Sequence, residues 1–175
     1  MTKAIEVQSL AVNAVFAQLR GKVDDMSPFL LGLGEDITER TKQRFVSATA
    51  PDGTPWQPNS QVTLMNYLDK KNGFSKKTGK ITAKGQALAM GKRPLQGQSG
   101  DLARQFRYQV FYGSLTVGST MVYAAMQHYG GTKAQFPHLW GDIPARPILP
   151  IMPDGSMYPA EESRIVDRLR EYLTI

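Results

Sequence analysis

Cysteine is missing from this 175-residue chain. That one absence excludes disulfides, thiolate metal sites and cysteine nucleophiles. Histidine is nearly missing too, with only His128 and His138 present. A metal centre normally draws on several His, Cys or carboxylate ligands at short spacing, and His138 with Asp142 four residues on is a thin substitute. No GxxxxGK[ST] or GxGxxG phosphate cradle joins a strand to a helix, and GxSxG does not occur. Ser99, Asp101 and His128 can be drawn as a triad on paper, but nothing in their spacing fixes a geometry. The chain therefore reads as non-enzymatic, with no cofactor implied. It also lacks an unbroken apolar run of about 18 residues and the N-terminal pattern of an export signal, so no membrane span or leader is expected.

What is present is ordinary in bulk and uneven in detail. A length of 175 residues with 41% hydrophobic and 21% charged content suits one soluble domain, residues 1–175, with a real core. The net charge is +6, yet Lys70, Lys71, Lys76, Lys77, Lys80, Lys84, Lys92 and Arg93 follow one another with no acidic residue between them. That stretch carries +8, so the remainder sums to −2. The basic character is a local patch, which says more about partners than a bulk pI does.

Glycines at 73, 79, 85, 91 and 97 recur through the basic stretch, but the residues between them do not match, so this is not a repeat. A basic, Gly/Lys-rich loop at about 70–97 is expected, mobile in the free protein because like charges repel and glycine weakens regular structure. It is either a solvated connection or a contact for nucleic acid or for acidic neighbouring subunits. With Phe74 its one aromatic, it offers no platform for stacking bases. Lys76, Lys77, Lys80 and Lys84 could still hold phosphates in a sequence-independent, salt-sensitive way.

The elements follow from periodicity. Lys3–Gln8 reads as a short first strand. Val12, Val15, Phe16 and Leu19 give residues 9–20 one apolar helical face. Ser27 as cap and Pro28 in the first turn start a long helix over 27–48, with Leu30, Leu33, Ile37 and Phe45 inward and Glu39, Arg40, Lys42 and Arg44 in water. Gly32 and Gly34 have no evident reason to lie in it. A loop follows, Pro51-Asp52-Gly53-Thr54-Pro55-Trp56-Gln57-Pro58, in which Trp56 either pins the loop to the domain or meets a ligand; anchoring is the favoured reading. Ser60–Tyr67 forms a turn or two of helix with Val62, Met65 and Leu68 inward.

A β-hairpin spans about 104–119. Phe106, Tyr108, Val110 and Tyr112 alternate with Arg107 and Gln109, and Gly113-Ser114 supplies the turn, pairing Tyr112 with Leu115 and Val110 with Val117. A short helix runs from about Met121 to Tyr129. Pro144 and Pro147 flank Arg146 in an edge strand near 144–149. Between two prolines, the Arg146 guanidinium is aimed in a fixed direction, at carbonyls or a carboxylate of its own chain or of a neighbour. A last helix over 160–173 begins at Pro159, with Glu161 and Glu162 near its positive end, and packs on the sheet. The expected class is α+β: a small, mostly antiparallel sheet covered by long helices.

Certain residues carry a resemblance. Ser99-Gly100-x-Leu102 precedes the hairpin, and Val117-Gly118-Ser119 ends it. Tyr123-Ala124, His128 with Gly130-Gly131, and Ile143-Pro144-Ala145-Arg146-Pro147 follow. Upstream stands Pro51-Asp52-Gly53-x-Pro55-Trp56-x-Pro58. This ordered series resembles the virion-morphogenesis and tail-completion family of tailed bacteriophages, over about Lys3 to Leu173. The resemblance implies a structural virion protein of the neck or head-proximal tail end, made in the bacterial cytoplasm. It would act as a ring, by similarity a homohexamer, around the DNA channel, with tail-tube and head-connector proteins as partners. A closed ring needs two different patches on each protomer. Phe106, Arg107, Tyr108 and Tyr112 are candidates for one, and Lys76, Lys77, Lys80 and Lys84 for the other, with Arg146 a further contact candidate. The alternative is a sequence-independent DNA-binding accessory protein using residues 70–93.

Overall fold

A computed structural model describes residues 10–97 and 99–174. Lys3–Gln8, expected as a strand, lies outside them. The described residues form helices α1 (Leu10–Asp24), α2 (Ser27–Ser47), α3 (Gln61–Lys70), α4 (Ala83–Gly91), α5 (Asp101–Arg104), α6 (Ala124–Tyr129) and α7 (Pro159–Leu173), with strands β1 (Phe106–Phe111) and β2 (Ser114–Ser119). The two strands make one antiparallel sheet, so the α+β class stands. No third strand joins it among the described residues. Residues 144–149, expected as an edge strand, form none; their backbone groups are met mostly by side chains instead.

Helix α2 is the spine. Leu33, Gly34, Ile37, Thr38, Thr41, Arg44 and Phe45 recur at helical spacing and form its buried face. Met26 stands at the N-cap without a side-chain cap bond, and the Asp25 carboxylate before it accepts the Ser27 N–H at 3.0 Å, with Pro28 in the first turn; Ser27 is helical and not itself the cap. Gly34 explains itself here: a Cβ at that position would fall 2.5 Å from the Tyr108 ring and 2.8 Å from Leu115. The missing side chain lets α2 lie directly on the hairpin.

The hairpin turns at Tyr112-Gly113, not Gly113-Ser114. Both residues have positive φ, 47° and 71°, as a type I′ turn requires. Phe111 therefore pairs with Ser114, Val110 with Leu115 and Tyr108 with Val117. The pairing differs from the expected one by two residues along β1, an even step that leaves Phe106, Tyr108 and Val110 on the same face. Tyr112 moves from that face to the exposed tip.

The core lies beneath the hairpin, where Phe45, Ala50, Trp56, Leu102, Phe106 and Ile148 meet. Phe45 holds Trp56 edge-on at 5.3 Å and Phe106 at 6.0 Å between ring centres. Helix α7, expected on the sheet, docks mainly on α2. The contact is ionic at one end and aromatic at the other: Glu161, buried at the start of α7, pairs with Arg44 at 2.7 Å and also with Arg40, Arg168 reaches Asp36 at 3.1 Å, and the Tyr172 ring lies 5.4 Å from that of Phe29. Arg44 was expected in water; it is buried because Glu161 and the Ile148 carbonyl, 3.0 Å away, satisfy it.

Helix α1 covers less than its pattern promised. Val12, Val15 and Phe16 are exposed and Leu19 is half-buried. The helix is tied down by Lys22, whose ammonium donates to the Tyr172 and Thr174 carbonyls at the end of α7, at 2.7 and 2.8 Å.

Candidate assembly surface

The two signature segments face each other across the core and are clasped by side chain to backbone bonds. Trp56 is buried and its Nε1–H donates to the Pro147 carbonyl at 2.9 Å. Next to it, Arg146 sends Nε to the Gln57 carbonyl at 2.8 Å and Nη2 to the Pro58 carbonyl at 2.9 Å. Each segment thus reaches into the other. The guanidinium is buried, which pushes its pKa down from the ordinary arginine range.

His128 closes the arrangement from α6. Its Nδ1 accepts the Ile148 N–H at 2.9 Å and the Leu149 N–H at 3.3 Å, so Nε2 carries the hydrogen and donates to the Ile151 carbonyl at 3.1 Å. Burial is the main reason its pKa falls below the usual histidine value; the nearby Arg44 charge adds to this and the Ile151 carbonyl opposes it. Arg44 itself is lowered to about 10, first by burial and then by Arg40. All these polar groups are spent on holding chain to chain. Ser99, Asp101 and His128 do not form a relay, because both His128 nitrogens are occupied by backbone groups of 148–151.

Around the clasp the signatures line one open groove of about 680 Å³, with Pro58, Ser99, Asp101, Tyr123, Pro144 and Arg146 on its walls. Gly100, with φ 67°, starts α5 and thereby drops Leu102 into the core. Gly131 and Ile143 exchange both backbone bonds, at 2.9 and 2.8 Å, and close the base of the loop between them. That loop presents Trp140 with full exposure, 102%. Val122, also almost wholly exposed, precedes α6.

The basic stretch is not a continuous loop. Helix α3 runs to Lys70, a bridge joins Phe74 to Ile81, and α4 occupies Ala83–Gly91. Thr82 caps α4 by accepting the Gly85 N–H at 3.1 Å, and its hydroxyl donates to the Gly73 carbonyl at 3.0 Å. Two glycines allow the fold: a Cβ on Gly85 would sit 2.2 Å from the Gly73 carbonyl oxygen. Leu68 anchors the arm, while Val62 and Met65, expected inward, are exposed. Lys76, Lys77, Lys80 and Lys84 are all exposed and make no ion pair among the described residues. Lys92 differs: its ammonium meets the Gln96 carbonyl and lies 4.8 Å from the Tyr67 ring centre.

The profile of the phage virion morphogenesis family matches residues 7–174. The chain belongs to that family. No curated protein and no solved structure matches it. Its role is thus a structural or morphogenetic one in a phage, and no helix among the described residues is long and apolar enough to cross a membrane.

Of the residues singled out in this virion-morphogenesis chain, the fold brings together Trp56, Arg146, Pro147 and His128 through residues 147–151. It separates others. Phe106 is in the core at 2% exposure and is not available to a neighbour, whereas Arg107, Tyr112 and the Lys76–Lys84 group stand at the surface. Sequence reasoning missed the Arg44–Glu161 pair and the exposed Trp140. For Arg44 a signal existed, since Ile37, Thr41, Arg44 and Phe45 share one helical stripe. For Trp140 none did.

Proposed function

We propose that this protein is a structural component of the phage neck or head-proximal tail end, completing the tail and joining it to the head as a ring of identical copies around the DNA path. The observation that carries the reading is the contrast between inside and outside. Inside, Arg146, His128, Arg44 and Glu161 are committed to backbone or to each other, which builds rigidity and leaves no free reactive group among them. Outside, large side chains are exposed to solvent: Tyr112 at the hairpin tip, its ring against that of Phe111, Trp140 on its pinned loop, and Phe16 midway along α1. Aromatic residues in such positions are the usual anchors of protein–protein interfaces. Deleting the gene from a phage and complementing it in trans tests this. Heads filled with DNA beside unattached or incomplete tails are expected; normal particles lacking DNA in the cell would contradict it.

A second reading rests on the unpaired cations of the α3–α4 arm. Lys76, Lys77, Lys80 and Lys84 could hold phosphates, with affinity falling steeply in salt. A protein partner supplying a few fixed carboxylates is favoured, since the arm has no stacking aromatics beyond Phe74. DNA retention against salt for wild type and for Lys76/Lys77→Ala separates the two: tight, salt-steep binding lost in the double variant would establish the DNA reading.

A further inference from the structure

The hairpin carries an unused hydrogen-bonding capacity on both sides. With Tyr112-Gly113 as a two-residue turn, Phe111 and Ser114 are the bonded pair nearest it, and bonded pairs alternate from there. The Thr120 N–H to Gln105 carbonyl bond, 3.1 Å, fixes the same phase at the far end. Tyr108 with Val117 and Val110 with Leu115 are therefore the non-bonded pairs, whose N–H and C=O groups point away from the hairpin. Among the described residues none of these groups has a partner. Natural sheets protect such edges with proline, lysine, bulges or a covering segment. Here β2 carries no charge and no proline, and β1 carries only Arg107. That guanidinium is folded back onto the Arg104 and Phe106 carbonyls at 2.8 and 2.9 Å, so it caps the start of the β1 edge and leaves Tyr108 and Val110 open.

We propose that these two edges pair with each other between copies, β1 of one chain lying antiparallel against β2 of the next. This rests on the ring reading above and names the contact that would build it. The occupant follows from the chain itself. It offers two open edges of equal six-residue length that differ from one another, as a head-to-tail closing interface requires. The one charge, on β1, meets an uncharged β2, so no like-charge repulsion opposes the pairing, whereas β1 against β1 would oppose two Arg107 side chains. Strand addition of this kind draws affinity from main-chain bonds. In a level register Tyr108 faces Val117 of the neighbour, and Gln109 faces its Thr116.

The absence of native cysteine makes the test clean. Gln109 and Thr116 lie on the hairpin face turned away from α2 and are exposed, so Gln109→Cys and Thr116→Cys leave the packing intact. Phe111→Cys and Ser114→Cys supply a second pair in the level register, and Gln109→Cys with Ser114→Cys or Phe111→Cys with Thr116→Cys reports registers shifted by two residues either way. Each variant is purified alone, mixed with another and oxidised. Dimers of a β1 variant with a β2 variant are expected several-fold above dimers of either with itself. In parallel, Val117→Pro removes an outward N–H without touching the hairpin's own ladder, and should lower the assembled mass while Val117→Ala does not. If the wild type is multi-copy but mixed dimers do not exceed same-variant dimers, the edge pairing is wrong and the ring uses another surface. If the wild type is a monomer at all concentrations, the ring reading falls with it. Should Val117→Pro fail to fold, the cysteine scan alone decides.

Discussion

Replacing Trp56 is the sharpest probe of the clasp. Its ring is 5% exposed, packs edge-on against Phe45 at 5.3 Å and donates to Pro147 at 2.9 Å. Trp56→Ala removes the packing, about 3–5 kcal/mol for a buried aromatic. It also leaves the half-buried Pro147 carbonyl without its donor, about 1 kcal/mol more. A domain has only about 5–15 kcal/mol in hand, so Trp56→Ala should be unstable or insoluble. Trp56→Phe separates the two contributions by keeping a ring against Phe45 while losing the donor. It should cost about 1–3 kcal/mol, which for a chain of this size lowers the melting temperature by roughly 3–10 °C. Scanning calorimetry on both variants reads these values. If Trp56→Ala keeps wild-type stability but fails to assemble, Trp56 is an interface residue and the anchoring argument is refuted.

Arg146→Lys keeps the charge but cannot serve Gln57 and Pro58 together; a loss of about 1–3 kcal/mol in urea titrations is expected. Glu161→Ala strands Arg44 as a buried cation and should cost about 3–5 kcal/mol, more than Glu162→Ala, which is exposed. His128 has its folded pKa below the unfolded value of about 6.5. Its contribution is complete above that pH and declines as pH falls below it, so the stability gap between wild type and His128→Gln should narrow from pH 7.5 to pH 5. Gly85→Ala, with 2.2 Å to the Gly73 carbonyl oxygen, should disrupt the arm, whereas Gly91→Ala, with nothing within 4 Å, should be neutral or stabilising on thermal melting.

Periodic features were legible in the sequence and long-range ones were not. Helix α2 and the hairpin faces follow from steps of three to four and of two, and both were read. The turn was misplaced because a shift of two residues along a strand leaves every side chain on the same face, so the pattern cannot choose. The edge strand expected at 144–149 does not form: the bonds of this segment go instead to His128, Trp56 and Arg44, all distant in sequence. Arg44 lies on the apolar stripe of α2, but its charge suggests water to a sequence reading, since its partner Glu161 is 117 positions away. The glycines of the arm suggest a flexible loop in the sequence, whereas Gly73 and Gly85 permit close backbone packing in the fold. Of the clasp, the intramolecular role of Arg146 and the anchoring of Trp56 were both foreseeable from fixed backbone and residue type. That the two segments hold each other was not.

Native mass measurement of the purified protein at rising concentration, alone and with tail-tube protein, tests the central claim most directly. A discrete closed multiple of the chain mass, stabilised by the tube protein, is predicted. A monomer at every concentration that instead binds duplex DNA with a steep salt dependence would contradict it.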